Sequence, residues 1–414
     1  MFELLDKNQK LLIGLLSAGI RNKPFSVENG AEVDWQALIR IASEQDIITL
    51  IYGPLAANKS RLGIPGEMLE KLRTVTLGNG AEQERDYIAV GSVLSRFVDN
   101  GIQAIPLKGL VLRALYPEPG LRTMSDYDLL VKACDMAKAG RILTEAGYTQ
   151  ILDVDKHVTF SHAVMPMIEL HRTLAPAGQF KNYEAFEEQV WKNTEPSTVG
   201  GVQVLSPNPV DMEVYQVIHM ASHMIDGGFG LRQLCDFVLY TEANESAIDW
   251  EEFHIKTSSL QIELFAEALF QLCRLLFGLE LHKGLQSDAS DLSLMKSIVE
   301  DIFNGGVFGK SSNKRIAANR MLYYSGGKEP GTFMERVLLY VKFLFPRAER
   351  LNKRYLYAKK NRLLLPFAWV HRFFYGMVRR DIDIFEKTAA FTSAEPASIS
   401  ESRSRLLREL GLLK

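Results

Sequence analysis

Two carboxylates alternate inside one apolar run, Ser125-Asp126-Tyr127-Asp128-Leu129-Leu130-Val131, and a third acid lies inside a second, Met167-Ile168-Glu169-Leu170-His171. On an extended strand, side chains at i and i+2 point to the same face, so Asp126 and Asp128 stand side by side. Like charges that close repel unless a cation lies between them. A pair of surface acids at a strand end is the plainer alternative, but acids this tightly flanked by Leu and Val are unfavourable unless used. If the strand carrying Glu169 runs beside the first, three sets of carboxylate oxygens converge on two divalent-cation positions about 4 Å apart. Mg²⁺, or Mn²⁺ in its place, binds through one or two carboxylates plus substrate phosphates. Such a set suits in-line attack on the α-phosphorus of a nucleoside triphosphate (NTP) as co-substrate. Asp126, Asp128 and Glu169 are therefore the candidate metal ligands and catalytic residues.

The triphosphate itself needs donors. Lys108-Gly109 follows a predicted strand and opens a predicted helix. Free amides at a helix start bind phosphate oxygens, glycine lets the backbone approach closely, and the lysine adds a point charge. A strand-to-helix turn also uses glycine for geometry alone. Arg122, four residues before Asp126, reads equally as a phosphate contact or a solvated loop arginine, and Ser125 adjoins the pair. His171 shares a face with Glu169; it either orients a phosphate or metal-bound water, or is a packed, hydrogen-bonded histidine.

The elements that must position these groups form a small α/β unit. Ile102–Leu107, Asp126–Val131, Tyr148–Val154, His157–Val164, Met167–His171 and Gly201–Leu205 read as strands, with helices over Gly109–Leu115 and Cys134–Ala146. Helical periodicity fills residues 1–98, with Asp34 as an N-cap before Trp35. It returns in Asp211–Met224, Leu231–Glu242, Trp250–Phe277, Leu292–Asn304 and the proline-interrupted stretch 334–380. The expected division is an N-terminal helical region 1–98, a core at 99–206, a C-terminal helical region 207–389, and a mobile tail with a short helix at 390–414. The fold class is α+β.

Composition excludes other classes. At 47% hydrophobic and 24% charged, the 414 residues suit globular domains with full cores. A net charge of −2 argues against a generic nucleic-acid binder, and no stable nucleic-acid complex is expected. The charge is uneven: residues 310–380 hold 17 Lys and Arg against 3 Asp and Glu, an excess of +14 that leaves −16 on the rest. These basic helices, with Tyr355, Tyr357, Trp369, Phe373, Phe374 and Tyr375, read first as a solvated face with aromatics in the core. A peripheral contact with an anionic membrane surface comes next, and a polyanion surface last. No run approaches a membrane span, and Glu3 and Asp6 are unlike a signal peptide. Cys134, Cys235 and Cys273 are isolated and read as buried, reduced thiols of a cytoplasmic protein.

Pro106-Leu107-Lys108-Gly109, Tyr116-Pro117, Arg122, Ser125–Val131 and Ile168–His171 together resemble the uncharacterised nucleotidyltransferase family of bacteria, within the DNA polymerase β-like superfamily. The resemblance implies a polymerase β-like core with flanking helices and transfer of a nucleoside monophosphate to an acceptor hydroxyl, releasing pyrophosphate. Asp126 and Asp128 match the superfamily's acid pair and Glu169 its third acid. Lys108-Gly109 stands where the wider superfamily has Gly-Gly or Gly-Ser. His219, His223, Arg232 and Asp236, and further on Leu344-Phe345-Pro346 and Leu365-Pro366-Phe367, extend the likeness to roughly 80–370. It does not specify the acceptor, whether small molecule, sugar, protein or RNA.

Two further spacings stand beside these. His219 and His223 share a helical face without an evident third ligand, so packing is favoured over zinc. Arg232 and Asp236 have the spacing of an i, i+4 ion pair. A nucleotide-sugar-dependent glycosyltransferase is the alternative activity, since acid-x-acid also binds metal nucleotide-sugars; a catalytically silent binding or scaffold module is the third reading. The helical residues 1–98 argue against the former and the intact acid set against the latter.

Overall fold

The computed structural model describes residues 4–26, 33–280, 282, 291–307, 309, 312–326, 332–348, 351, 355–378 and 394–413. The chain packs as two compact units, residues 1–222 with 230–299, and residues 223–229 with 300–414.

In the first unit, the N-terminal helices are α1 (Lys7–Arg21), α2 (Trp35–Glu44), α3 (Ile48–Ala57), α4 (Lys59–Leu62) and α5 (Gly66–Asp99). Asp6 closes a capping box with Gln9, and Asp34 accepts from the Ala37 N–H as the sequence predicts. The sheet region then runs β1 (Ala104–Pro106), α6 (Gly109–Leu112), β2 (Tyr127–Val131), α7 (Met136–Glu145), β3 (Thr149–Asp153), β4 (His157–Ser161) and β5 (Ile168–His171). The predicted strands and helices are all present, each shorter at one or both ends. Asp126 sits in a bend just ahead of β2 rather than on it.

The five strands order as β1-β2-β5-β4-β3, with β2 and β5 parallel and the other pairs antiparallel. Tyr127, Leu129 and Val131, Ile168 and Leu170, and Val158 and Phe160 join Val90, Val93, Leu94 and Phe97 of α5 and Ala139, Ile142 and Leu143 of α7 in one core. The alternating residues, Asp128, Glu169, His171, His157 and Thr159, therefore occupy the opposite face. Burial of one face fixes the register that aligns the other.

Two elements escaped the sequence reading. The acidic stretch forms α8 (Tyr183–Lys192), and β6 (Thr194–Val199) pairs antiparallel with β7 (Val202–Pro207). The hairpin turn lies hard against α5: a Cβ on Gly91 would come within 2.6 Å of the Gly200 oxygen. Downstream come α9 (Pro209–Asp226), α10 (Leu231–Asn244), α11 (Trp250–Leu260) and α12 (Glu263–Phe277). The single helix expected over Trp250–Phe277 is two, because Gln261 adopts a left-handed φ of +59° that terminates α11. Cys235 and Cys273 are buried; Cys134, expected buried, is exposed in the turn after β2.

Helix α9 buries Glu213, which accepts from Thr241 Oγ1 at 2.6 Å and Gln216 Nε2 at 3.3 Å. Burial pushes its carboxyl up to about 8. A raised carboxyl pKa means the folded state holds its proton while the unfolded chain loses it, so stability falls as pH rises from about 4.3 toward that value. Glu213→Gln removes the titration. The variant should gain unfolding temperature over the wild type at pH 8, and the gain should shrink at pH 5.

In the second unit, α13 (Leu292–Gly305) enters from the first; α14 (Asn313–Ser325), α15 (Phe333–Leu344), α16 (Leu356–Lys360), α17 (Leu365–Val378) and α18 (Ala394–Glu409) follow. The last is longer than the short terminal helix expected, and residues 390–393 of the expected tail lie outside the described residues. Buried Asp301 is held by both Arg315 and Arg403, and the arginines also donate to the Gly227 and Met224 carbonyls. The aromatics of the basic helices are not all in a core: Tyr355 is buried, but Phe367, Phe373 and Phe374 are exposed. Among the described residues, no helix is long and apolar enough to cross a membrane.

Candidate active site

The parallel pairing of β2 with β5 sets Asp128 opposite Glu169, and β4 sets Thr159 opposite Glu169 and His157 opposite His171. Asp126, Asp128 and Glu169 bring carboxylate oxygens within 4.8 Å of one another. An all-oxygen donor set of this size fits Mg²⁺ or Mn²⁺, hard cations that take carboxylates and phosphates.

Asp128 is 5% exposed and doubly engaged. Its Oδ1 lies 2.6 Å from His171 Nε2 and its Oδ2 lies 2.7 Å from Lys108 Nζ. Burial works against its charge, but Lys108 and His171 outweigh it and hold the carboxyl well below the usual range. Asp126 has the reverse balance: burial and the neighbouring Asp128 charge raise its pKa. Glu169 accepts from Thr159 Oγ1 at 3.1 Å and lies 3.3 Å from His157 Nε2. Despite burial, the histidines hold its carboxyl below the ordinary value. Burial also lowers the pKa of His157, favouring the neutral ring. Lys108 remains an ammonium, since Asp128 more than offsets its desolvation.

Lys108 adopts φ +52° and ψ −122°, a conformation that favours glycine. The ion pair to Asp128 is the compensation visible for that strain. The next position is crowded by the Arg122 and Met124 side chains. A Cβ on Gly109 would lie 2.2 Å from Arg122 Nη1 and 2.6 Å from Met124 Sδ. Gly109→Ala should therefore lower stability by about 1–3 kcal/mol and weaken nucleotide binding, read by thermal unfolding and calorimetry.

A family described as "Uncharacterised nucleotidyltransferase" matches residues 31–278, well over half of the chain. The chain belongs to this family. The match begins upstream of the likeness drawn from motifs and stops before Leu344–Pro346 and Leu365–Phe367. No curated protein and no solved structure matches the chain.

In this family member, the site residues named from sequence divide in two. Asp126, Asp128, Glu169, Lys108 and His171 come together; Gly109 supplies close packing, and Ser125 is exposed in the bend beside Asp126. Arg122 is neither a solvated loop residue nor aimed at the acids. Its buried guanidinium pairs with Asp236, which also accepts from Tyr116 Oη at 2.7 Å. Arg232 consequently does not pair with Asp236 four residues on. It pairs with Asp46 and donates to the Thr123 carbonyl at 3.0 Å. Helix α6 is a single turn, and the Leu110 N–H is directed to the Leu107 carbonyl at 3.4 Å, so this amide is not free at the helix start.

The segment leading into the acid pair is clamped from several sides. Gln83 of α5 donates to the Met124 carbonyl at 3.1 Å and accepts from its N–H at 2.9 Å, a two-point grip on backbone. Thr123 Oγ1 donates to Asp46 at 3.0 Å. Sequence reading missed Gln83, His157 and Tyr215. His157 and Thr159 alternate with Val158 and Phe160, a period-two signal present in the sequence. Tyr215 lies one turn before His219 on α9. It is buried without a hydrogen-bond partner for its hydroxyl, and its phenol is pushed up by burial, with Lys108 and Asp128 as charged neighbours.

Proposed function

We propose that the protein transfers a nucleoside monophosphate from an NTP to an acceptor hydroxyl, with release of pyrophosphate, in a metal-dependent reaction. The observation that carries this reading is the convergence of Asp126, Asp128 and Glu169 on one sheet face with the Lys108 ammonium beside them. Asp126, Asp128 and Glu169 hold Mg²⁺ or Mn²⁺. Bound there, the metal neutralises the triphosphate and lowers the pKa of an acceptor hydroxyl.

The protein's own groups do the rest. Lys108 exchanges Asp128 for a phosphate oxygen and offsets charge on the leaving pyrophosphate. His171 holds Asp128 at Oδ1, which fixes the carboxylate's rotation while Oδ2 is released. Glu169, oriented by Thr159 and His157, is the carboxylate placed to take the acceptor proton. Gln83, Asp46 and Asp236 keep the preceding backbone segment in place, so the movement is confined to the Lys108 and Asp128 side chains.

The test is transfer of α-phosphorus-labelled NTP into small-molecule, protein and RNA fractions supplied separately with Mg²⁺. Label should enter one fraction with the wild type and none with Asp126→Asn, naming the acceptor class. Label entering no fraction from any NTP, but appearing from a nucleotide-sugar labelled in the sugar, would replace this reading with glycosyl transfer.

A further inference from the structure

Glu169 belongs to a second group of donors besides the carboxylates: His157, Glu169 and His171 also bring ligand atoms within 4.8 Å of one another. The distances are specific. Glu169 Oε1 lies 3.3 Å from His157 Nε2, and Oε2 lies 3.4 Å from His171 Nε2. Ligands bonded to Zn²⁺ at 2.0–2.1 Å in a tetrahedron stand about 3.3–3.4 Å apart, and each carboxylate oxygen of Glu169 lies at that spacing from one histidine. The strands impose this spacing, since β4 and β5 pair His157 with His171 in register and place Glu169 two residues away on the same face.

The rings are also free to present a lone pair. Nδ1 of His157 and Nδ1 of His171 are both buried without a hydrogen-bond partner, so neither tautomer is fixed from behind. With no cation, Nε2–H can donate to a carboxylate; with one, the proton resides on Nδ1 and Nε2 ligates. His157 is one-fifth exposed and opens the cluster to solvent.

We propose that His157, Glu169 and His171 form a His₂-carboxylate site for a borderline transition-metal ion such as Zn²⁺, distinct from the carboxylate site that takes Mg²⁺ or Mn²⁺. Three protein ligands leave the fourth position open. Because Glu169 is common to both groups and His171 holds Asp128 at Oδ1, filling this site draws His171 from Asp128 and opposes metal binding at the carboxylates. The site does not depend on nucleotidyl transfer.

His157 belongs only to the histidine group and Asp126 only to the carboxylate group, so two variants separate them. Zn²⁺ is titrated into purified full-length protein by calorimetry, and Co²⁺ is added in its place to read visible absorption. The wild type should bind one Zn²⁺ that Asp126→Asn retains and His157→Ala weakens by at least about tenfold. Co²⁺ should give the strong visible bands of four-coordination, lost in His157→Ala. Zn²⁺ affinity unchanged by His157→Ala, lost in Asp126→Asn, or undetectable in folded wild type would overturn the proposal. Loss of NTP binding alone leaves it standing.

Discussion

Asp126→Asn should raise the unfolding temperature and at the same time abolish metal-dependent nucleotide binding. The Asp126 carboxylate is disfavoured first by burial and then by the Asp128 charge, so its pKa is raised. Between the ordinary carboxyl value and that raised one, the folded protein loses stability as pH increases. Asparagine keeps the shape and removes the repulsion. It also removes a ligand, and losing one charge-stabilising group of this kind lowers turnover by about 10²–10³-fold. Asp128→Asn should move stability the other way. That carboxylate is held low by Lys108 and His171, and its stabilising contribution is present at neutral pH and lost as pH falls through its depressed pKa. Its removal leaves a largely buried ammonium unpaired. Opposite signs of stability change with a shared loss of function distinguish a metal site from a pair of structural acids. Thermal unfolding at pH 7 and pH 4 reads the signs; two shifts of the same sign would refute the electrostatic account.

The second large effect lies away from the metal ligands. Asp236→Ala should destabilise the protein by about 3–5 kcal/mol, because it strands the buried Arg122 guanidinium and the Tyr116 hydroxyl. Denaturant unfolding measures this. Asp236 is a positioning residue, so Asp236→Asn, which keeps an acceptor for Tyr116, should recover part of the stability. Under conditions where the variants remain folded, their nucleotide affinity should fall as the segment 122–125 loosens. A loss below about 1 kcal/mol would mean the arginine finds water or another partner, and the clamp would carry little.

The candidate site residues were legible because strand periodicity puts acids on one face and core residues on the other. The pairing of β2 with β5 aligns Asp128 with Glu169, and Asp126 joins them from the bend ahead of β2. What holds them was not legible, because the partners are far apart in the chain. Arg122 meets Asp236, Arg232 meets Asp46, and Gln83 meets Met124 across separations that no local pattern encodes. The i, i+4 pairing expected of Arg232 with Asp236 failed for the same reason: tertiary partners displaced the local one. The break at Gln261 was hidden because a left-handed residue other than glycine leaves no compositional mark.

The basic helices show a related limit. Met334, Leu338, Val341 and Phe345 repeat at helical spacing and are exposed, as are Leu363, Phe367, Val370 and Phe374. Periodicity places helices here, but it carries no information on what covers their apolar stripes.

The most direct test of the central claim is calorimetric titration of each NTP, with Mg²⁺, into the wild type and Asp126→Asn. The account predicts that one NTP binds the wild type only when Mg²⁺ is present, and that the folded variant does not bind it. Folded wild type that binds no NTP, or a variant that binds as tightly as the wild type, would contradict it.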